Sequence, residues 1–117
     1  MEKYFEGVEL KGGILPVDGV VGIYFSAHWC PPCRGFTPTL VETYKLLKGG
    51  DKAFEVVFVS SDKDEDQFIS YFAEMPWLAL PFEHREMKNK LSKKFKVNGI
   101  PALILVDAKT GDVITKE

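Results

Sequence analysis

Cys30 and Cys33 are the only two cysteines in the chain, separated by Pro31 and Pro32 and preceded by an apolar run from Val20 to Phe25. Two thiols at this spacing can close into a small disulfide where the backbone turns sharply, as at the start of a helix. There the free amide N–H groups and the positive end of the helix dipole favour a thiolate on the first cysteine. A loop so short constrains the unfolded chain by roughly 2 kcal/mol or less, so stabilisation alone does not account for the pair. A zinc site needs four ligands, and His28 and His84 are the only imidazoles; with Cys30 and Cys33 they match none of the usual zinc spacings. Cys-X-X-Cys after a strand therefore points to a redox dithiol rather than a metal site, and the chemistry requires no cofactor.

Elements that could hold such a pair are legible on both sides of it. Val20 to Ser26 is predicted as a strand, and from Pro32 to Lys48 the positions Phe36, Leu40, Val41, Tyr44 and Leu47 recur at helical spacing up to a Gly49-Gly50 stop. Pro38 inside that helix predicts a kink. Phe54 to Val59 is a continuous apolar, β-branched run, as in a strand covered on both faces. Asp62, Asp64, Glu65 and Asp66 crowd the start of a second helix carrying Phe68, Ile69 and Phe72, which Met75-Pro76-Trp77 ends. Leu78 to Phe82 reads as a short apolar connection. Met87, Leu91 and Phe95 mark a third helix, broken by Asn98-Gly99. Ala102 to Val106 and Asp112 to Thr115 are strands joined by a polar turn, hence a hairpin. Towards the N-terminus, Phe5 to Leu10 suggests a short strand, followed by a Gly12-Gly13 turn and an Ile14 to Val17 segment of undecided type. This order predicts one α/β domain over residues 1–117, a three-layer α/β/α sandwich on a mixed sheet. The sequence ends at Glu117, where such a fold calls for a closing helix over one sheet face.

Composition restricts the possible partners. At 117 residues with 45% hydrophobic content, one domain can bury a core without metal or disulfide support. A formal net charge of −2 and a pI near 5.7 offer no electrostatic footprint for nucleic acid. No segment approaches membrane-spanning length. Residues 1–10 are interrupted by Glu2, Lys3, Glu6 and Glu9, unlike a secretory leader. A reducing cytoplasmic compartment, with the nucleus as a second location, is the expectation, as is a monomer. The one basic cluster, Lys88, Lys90, Lys93, Lys94 and Lys96, reads as a solvated helix face. His28 and His84 read as surface residues, with His28 close enough to influence Cys30 when protonated.

Four blocks together resemble the thioredoxin superfamily, in its tryparedoxin and nucleoredoxin branch. They are Trp29 to Pro38 (WCPPCRGFTP), Val57 to Asp62 (VFVSSD), Met75 to Phe82 (MPWLALPF) and Gly99-Ile100-Pro101. The resemblance implies that Cys30 is the attacking thiol and Cys33 the buried resolving thiol, in a disulfide reductase cycling between dithiol and disulfide. Pro31 and Pro32 stiffen the turn and remove two N–H donors, which implies a potential nearer about −270 mV than about −120 mV. Taken alone, Ile100-Pro101 reads as a strand-start proline with a trans bond. The resemblance implies instead a cis bond facing the disulfide, with the Ile100 backbone open to an extended substrate. Trp29 is either strand-end packing or an apolar wall beside Cys30, and Arg34 either a solvated side chain or a local positive charge favouring the thiolate. Trp77 reads as core or rim. Tyr24 stands where thioredoxin carries a buried acid six residues before its first cysteine, which leaves the proton acceptor for Cys33 unassigned.

Two functions follow from the resemblance. In the first, the chain reduces protein disulfides, peroxiredoxins among its targets, with electrons from a small thiol or a reductase. In the second, it is a nucleoredoxin-like binding module whose oxidation state regulates a signalling partner. Every residue needed for turnover is present, which favours the first.

Overall fold

A computed structural model of the chain describes residues 5, 9–16, 18–48 and 53–116. Its elements are β1 (Val20–Ser26), α1 (Pro31–Lys48), β2 (Phe54–Ser60), α2 (Glu65–Phe72), β3 (Leu78–Ala79), α3 (Arg85–Lys94), β4 (Ala102–Asp107) and β5 (Val113–Lys116). The five strands form one sheet in the order β3-β2-β1-β4-β5. β1 runs parallel to β2 and antiparallel to β4, and β4 and β5 form the expected hairpin. The sheet is therefore mixed, as the sequence predicts.

The alternation along β1 shows how the layers form. Val21, Ile23 and Phe25 point to one face, where they meet Val57, Val59, Ile104 and Val106 of neighbouring strands and Leu91 and Phe95 at α3. Tyr24 points to the other face, packing with Val56 and Phe58 against Leu40 and Tyr44 of α1 and Phe68 and Tyr71 of α2. The two faces make two cores because a strand buried on both sides has no solvent face to give up. Trp77, 2% exposed, belongs to the second core, as expected.

Three local features depart from the sequence reading. Leu78 to Phe82 is more than a connection: Leu78 and Ala79 pair with Val57 and Phe58 as β3. Two residues are too few to display a strand period, so no pattern could have revealed them. The expected Phe5 to Leu10 strand falls largely outside the described residues; Glu9 and Leu10 carry no regular structure, and contact with the sheet comes from Lys11, bridged to Ala79. No strand or helix runs through 14–16, and Val17 and the Gly49-Gly50 stop lie outside the described residues. Gly19, by contrast, is required where it stands. Its φ is +94°, and a Cβ there would run into the Ala53 carbonyl.

Candidate active site

Cys30 closes a turn at the C-terminal end of β1, its N–H donating to the Ala27 carbonyl at 3.2 Å, and α1 starts at the next residue. Pro31 and Pro32 occupy the first positions of α1, where a missing N–H costs nothing because the first helical donors have no intrahelical partner. Cys33 is thus the first residue of α1 with an N–H to offer, and it offers it to Cys30 Sγ at 3.3 Å. The donor that favours a Cys30 thiolate therefore belongs to the other cysteine of the pair.

The two cysteines are joined as a disulfide with a Cα–Cα distance of 5.2 Å. Cys30 retains 5% exposure and Cys33 none, so Cys30 is the less buried of the two sulfurs. Opposite them, the Ile100-Pro101 bond is cis, and Cys30 Sγ lies 3.9 Å from the Ile100 carbonyl oxygen. Ile100 also packs against the small cluster of Ala27, Cys30 and Cys33. The structure thus brings together Cys30, Cys33, Ile100 and Pro101 from positions seventy residues apart.

Trp29 is half-exposed on the rim. Its indole N–H donates to the Ser61 carbonyl at 3.0 Å, and the Lys63 ammonium sits 5.8 Å above its ring. That anchored, open placement is not core packing. Pro31, Pro32 and Arg34 are exposed. His28 departs from its expected role as a surface residue: it is half-buried, and its ring stacks on Tyr71 with centroids 5.4 Å apart. His84 caps the start of α3, half-buried, and Lys90, Lys93, Lys94 and Lys96 are exposed along α3 and just past its end. Among the described residues, no three His, Cys, Asp or Glu side chains gather as metal ligands.

Behind Cys33 the sequence left a gap, and the structure fills it with hydroxyl groups. Thr37 Oγ1 donates to the Cys33 carbonyl at 2.9 Å, and shares hydrogen bonds with the hydroxyls of Tyr24, at 2.7 Å, and Tyr71. With the Thr37 proton on the Cys33 carbonyl, Thr37 Oγ1 is left to accept from the tyrosines; the Tyr24 hydroxyl also reaches the Cys33 carbonyl at 3.5 Å, and the Tyr71 and Ser26 hydroxyls share a hydrogen bond at 2.8 Å. Burial pushes the Tyr24 phenol from its ordinary 10.0 up to about 12. A phenol in that range is no base near neutrality, so Tyr24 supplies a donor and not the acceptor that thioredoxin's acid would be.

The loop after β2 carries a group whose part the sequence did not reveal. Asp62, given no role by the sequence beyond helix-start acidity and the end of the VFVSSD block, is buried to 5% exposure. Its Oδ1 accepts the His28 N–H at 2.7 Å and its Oδ2 accepts the Ser60 hydroxyl at 2.6 Å. Arg85 closes the loop from α3, donating to the carbonyls of Ser60, at 2.8 Å, and Phe82, at 2.6 Å, with its guanidinium 4.1 Å from the Phe82 ring centre. Burial lowers the Arg85 pKa and the Asp62 charge opposes that shift.

A β-strand, a helix started by Cys-Pro-Pro-Cys, and a cis-proline loop facing the disulfide define a thioredoxin-like domain. Residues 18–113 match the Thioredoxin-like family, and the chain belongs to it. Within that family its relatives are tryparedoxins and nucleoredoxins. It is 51% identical to tryparedoxin I from Crithidia fasciculata, whose crystal structure superposes with a TM-score of 0.90 over 99% of this chain and 85% of that one. A structure of tryparedoxin II complexed with glutathionylspermidine gives 40% identity and a TM-score of 0.90, covering 97% of this chain and 84% of the other. Probable nucleoredoxin 1 of Arabidopsis thaliana is 56% identical over 110 residues, which make up 91% of this chain and 19% of that protein. The chain thus spans about a fifth of the length of the nucleoredoxins it matches.

Proposed function

We propose that this chain is a thiol-disulfide oxidoreductase that reduces protein disulfides. The observation that carries the reading is the unequal burial of two bonded cysteines, with the less buried one set 3.9 Å from the Ile100 carbonyl. In the dithiol form, the Cys30 thiolate attacks one sulfur of a target disulfide and expels the other as a thiolate, leaving a mixed disulfide. Cys33, losing its proton, then attacks Cys30 Sγ and releases the reduced target. The target has gained two electrons and the chain has lost them, leaving a Cys30–Cys33 disulfide that an external thiol must reduce.

The tryparedoxin II structure holds glutathionylspermidine, a small thiol, which supports a donor of that class for this chain. Protein targets, peroxiredoxins among them, and a cytoplasmic or nuclear location belong to the same reading. Insulin reduction by dithiothreitol tests it. The wild type should accelerate precipitation of the insulin B chain by about tenfold, and Cys30→Ser should bring the rate back to that of dithiothreitol alone. No acceleration by the wild type, or full acceleration by Cys30→Ser, overturns the proposal.

A further inference from the structure

Two buried carboxylates occur among the described residues, Glu55 and Asp62, and they sit at opposite ends of the sheet. Glu55 is register-paired with Val21, near the start of β1, and is occupied by the Tyr44 hydroxyl at 2.7 Å and the Lys48 ammonium at 3.4 Å. Its role is accounted for by those partners. Asp62 follows the Ser26–Ser60 end, where β1 and β2 deliver their chains into the site. A buried carboxylate persists only where its hydrogen bonds repay its desolvation, and one of those Asp62 accepts comes from the backbone two residues before the nucleophile.

We propose that Asp62 is the positioning residue for Cys30. The segment from Ser26 to Cys30 lies against 60–63 as against a mould, held at three points. Ser61 N–H donates to the Ser26 carbonyl at 2.8 Å, His28 N–H donates to Asp62 at 2.7 Å, and the Trp29 indole donates to the Ser61 carbonyl at 3.0 Å. Of these, only the Asp62 contact is a side chain reaching the backbone of the Cys30 turn. The mould is itself fixed, because Ser60 Oγ accepts the Asp62 N–H at 2.9 Å while donating to its carboxylate, and Arg85 ties Ser60 to Phe82. The His28 ring is clamped on Tyr71, so both the backbone and the side chain of this residue are immobilised. Asp62 thereby sets where Cys30 Sγ stands relative to Cys33 and Ile100.

Two consequences act in one direction. Loss of the anchor lowers the effective concentration of Cys30 at Cys33 and weakens the disulfide. Removal of a buried negative charge beside the nucleophile turn stabilises the Cys30 thiolate, and with it the dithiol form. Both lower the constant K for protein dithiol plus glutathione disulfide going to protein disulfide plus two glutathione thiols. This rests on Cys30 being the attacking thiol, yet K is read with glutathione alone and needs no protein target.

The test compares K at pH 7 for wild type, Asp62→Asn, Asp62→Ala and Glu55→Ala, each checked for cooperative unfolding by circular dichroism. Asp62→Asn, which keeps an oxygen for His28, should lower K by about threefold, and Asp62→Ala by about tenfold or more. Glu55→Ala removes an equally buried carboxylate far from the site and should cost stability while leaving K within about twofold of wild type. A folded Asp62→Ala or Asp62→Asn with unchanged K overturns the proposal, as does a Glu55→Ala shift as large as that of Asp62→Ala. A wild type inert towards insulin whose K still falls in both Asp62 variants supports the role of Asp62 and overturns only the reductase reading.

Discussion

Tyr24 shows what a single residue can disclose and conceal. Its departure from thioredoxin's acid was visible as a residue type, but the partners that give the departure meaning were not. Thr37 looks like an ordinary helix position and Tyr71 like a core aromatic, and nothing in one dimension places either beneath Cys33. Asp62 was hidden for the same reason, in a run of acids suited to a helix start. Cys30 and Cys33 were legible because two thiols at that spacing have few structural uses, whereas Ile100-Pro101 read alone as an ordinary strand-start proline and entered the site only through the family resemblance. The phenol of Tyr24 carries its own pH signature. Below its ordinary pKa of 10.0 both folded and unfolded chains hold the proton, and the contribution of the neutral, buried phenol is fully present. Between pH 10.0 and about 12 the unfolded chain ionises first, so stability falls as pH rises. Urea unfolding of Tyr24→Phe across this range should show a shallower decline than wild type. Tyr44 leaves a residual slope, its pKa also being raised, by burial first and then by its bond to Glu55. An identical decline in both proteins would exclude Tyr24 as a source.

At the scale of elements, the helices were readable because each buries one stripe: Leu40 and Tyr44 in α1, Phe68 and Tyr71 in α2, Leu91 in α3. Their ends were less so. α2 stops at Phe72, ahead of the Met75-Pro76-Trp77 block that marks its end in the sequence: the Ala73 N–H still bonds the Ile69 carbonyl, but the Glu74 and Met75 N–H groups turn to the Tyr71 and Phe72 carbonyls, three residues back, and tighten the chain out of the helix. Its start is set by Asp64, whose side chain accepts the Gln67 N–H at 2.8 Å. Asp64→Ala should therefore cost about 1 kcal/mol, seen as a fall in Tm of about 4 °C. Since the hydrogen bonds Asp64 accepts come from Gln67 and Phe68 of α2, insulin reduction below that Tm should be unaltered. β3 eluded the sequence entirely, as a strand recognised by its neighbours rather than its own pattern. Val57 and Phe58 on one side and Lys11 on the other define it.

Across the whole molecule, the alternation of strand-like and helix-like segments sufficed for the layers and the mixed sheet, because a chain of this length has few ways to bury such strands. What it could not give is how unevenly the two cores are built. One is mainly aliphatic; the other gathers rings around Phe58, which stacks on Phe68 at 5.7 Å and meets Tyr71 edge-on at 5.4 Å. Phe58→Ala should cost about 3–5 kcal/mol, a large part of the whole stability of a small domain, and shift the urea midpoint accordingly. A loss under about 1 kcal/mol would mean that the ring cluster repacks. The seventy residues between Cys30 and the Ile100 carbonyl carry a further consequence. On the ribosome, at about 5–20 residues per second, the thiols emerge several seconds before the loop that will face them is made. During that interval the pair is merely two neighbouring sulfhydryls, open to any oxidant and selective for none. The loop that faces them, and with it the Ile100 carbonyl 3.9 Å from Cys30 Sγ, comes into place only when β4 joins β1.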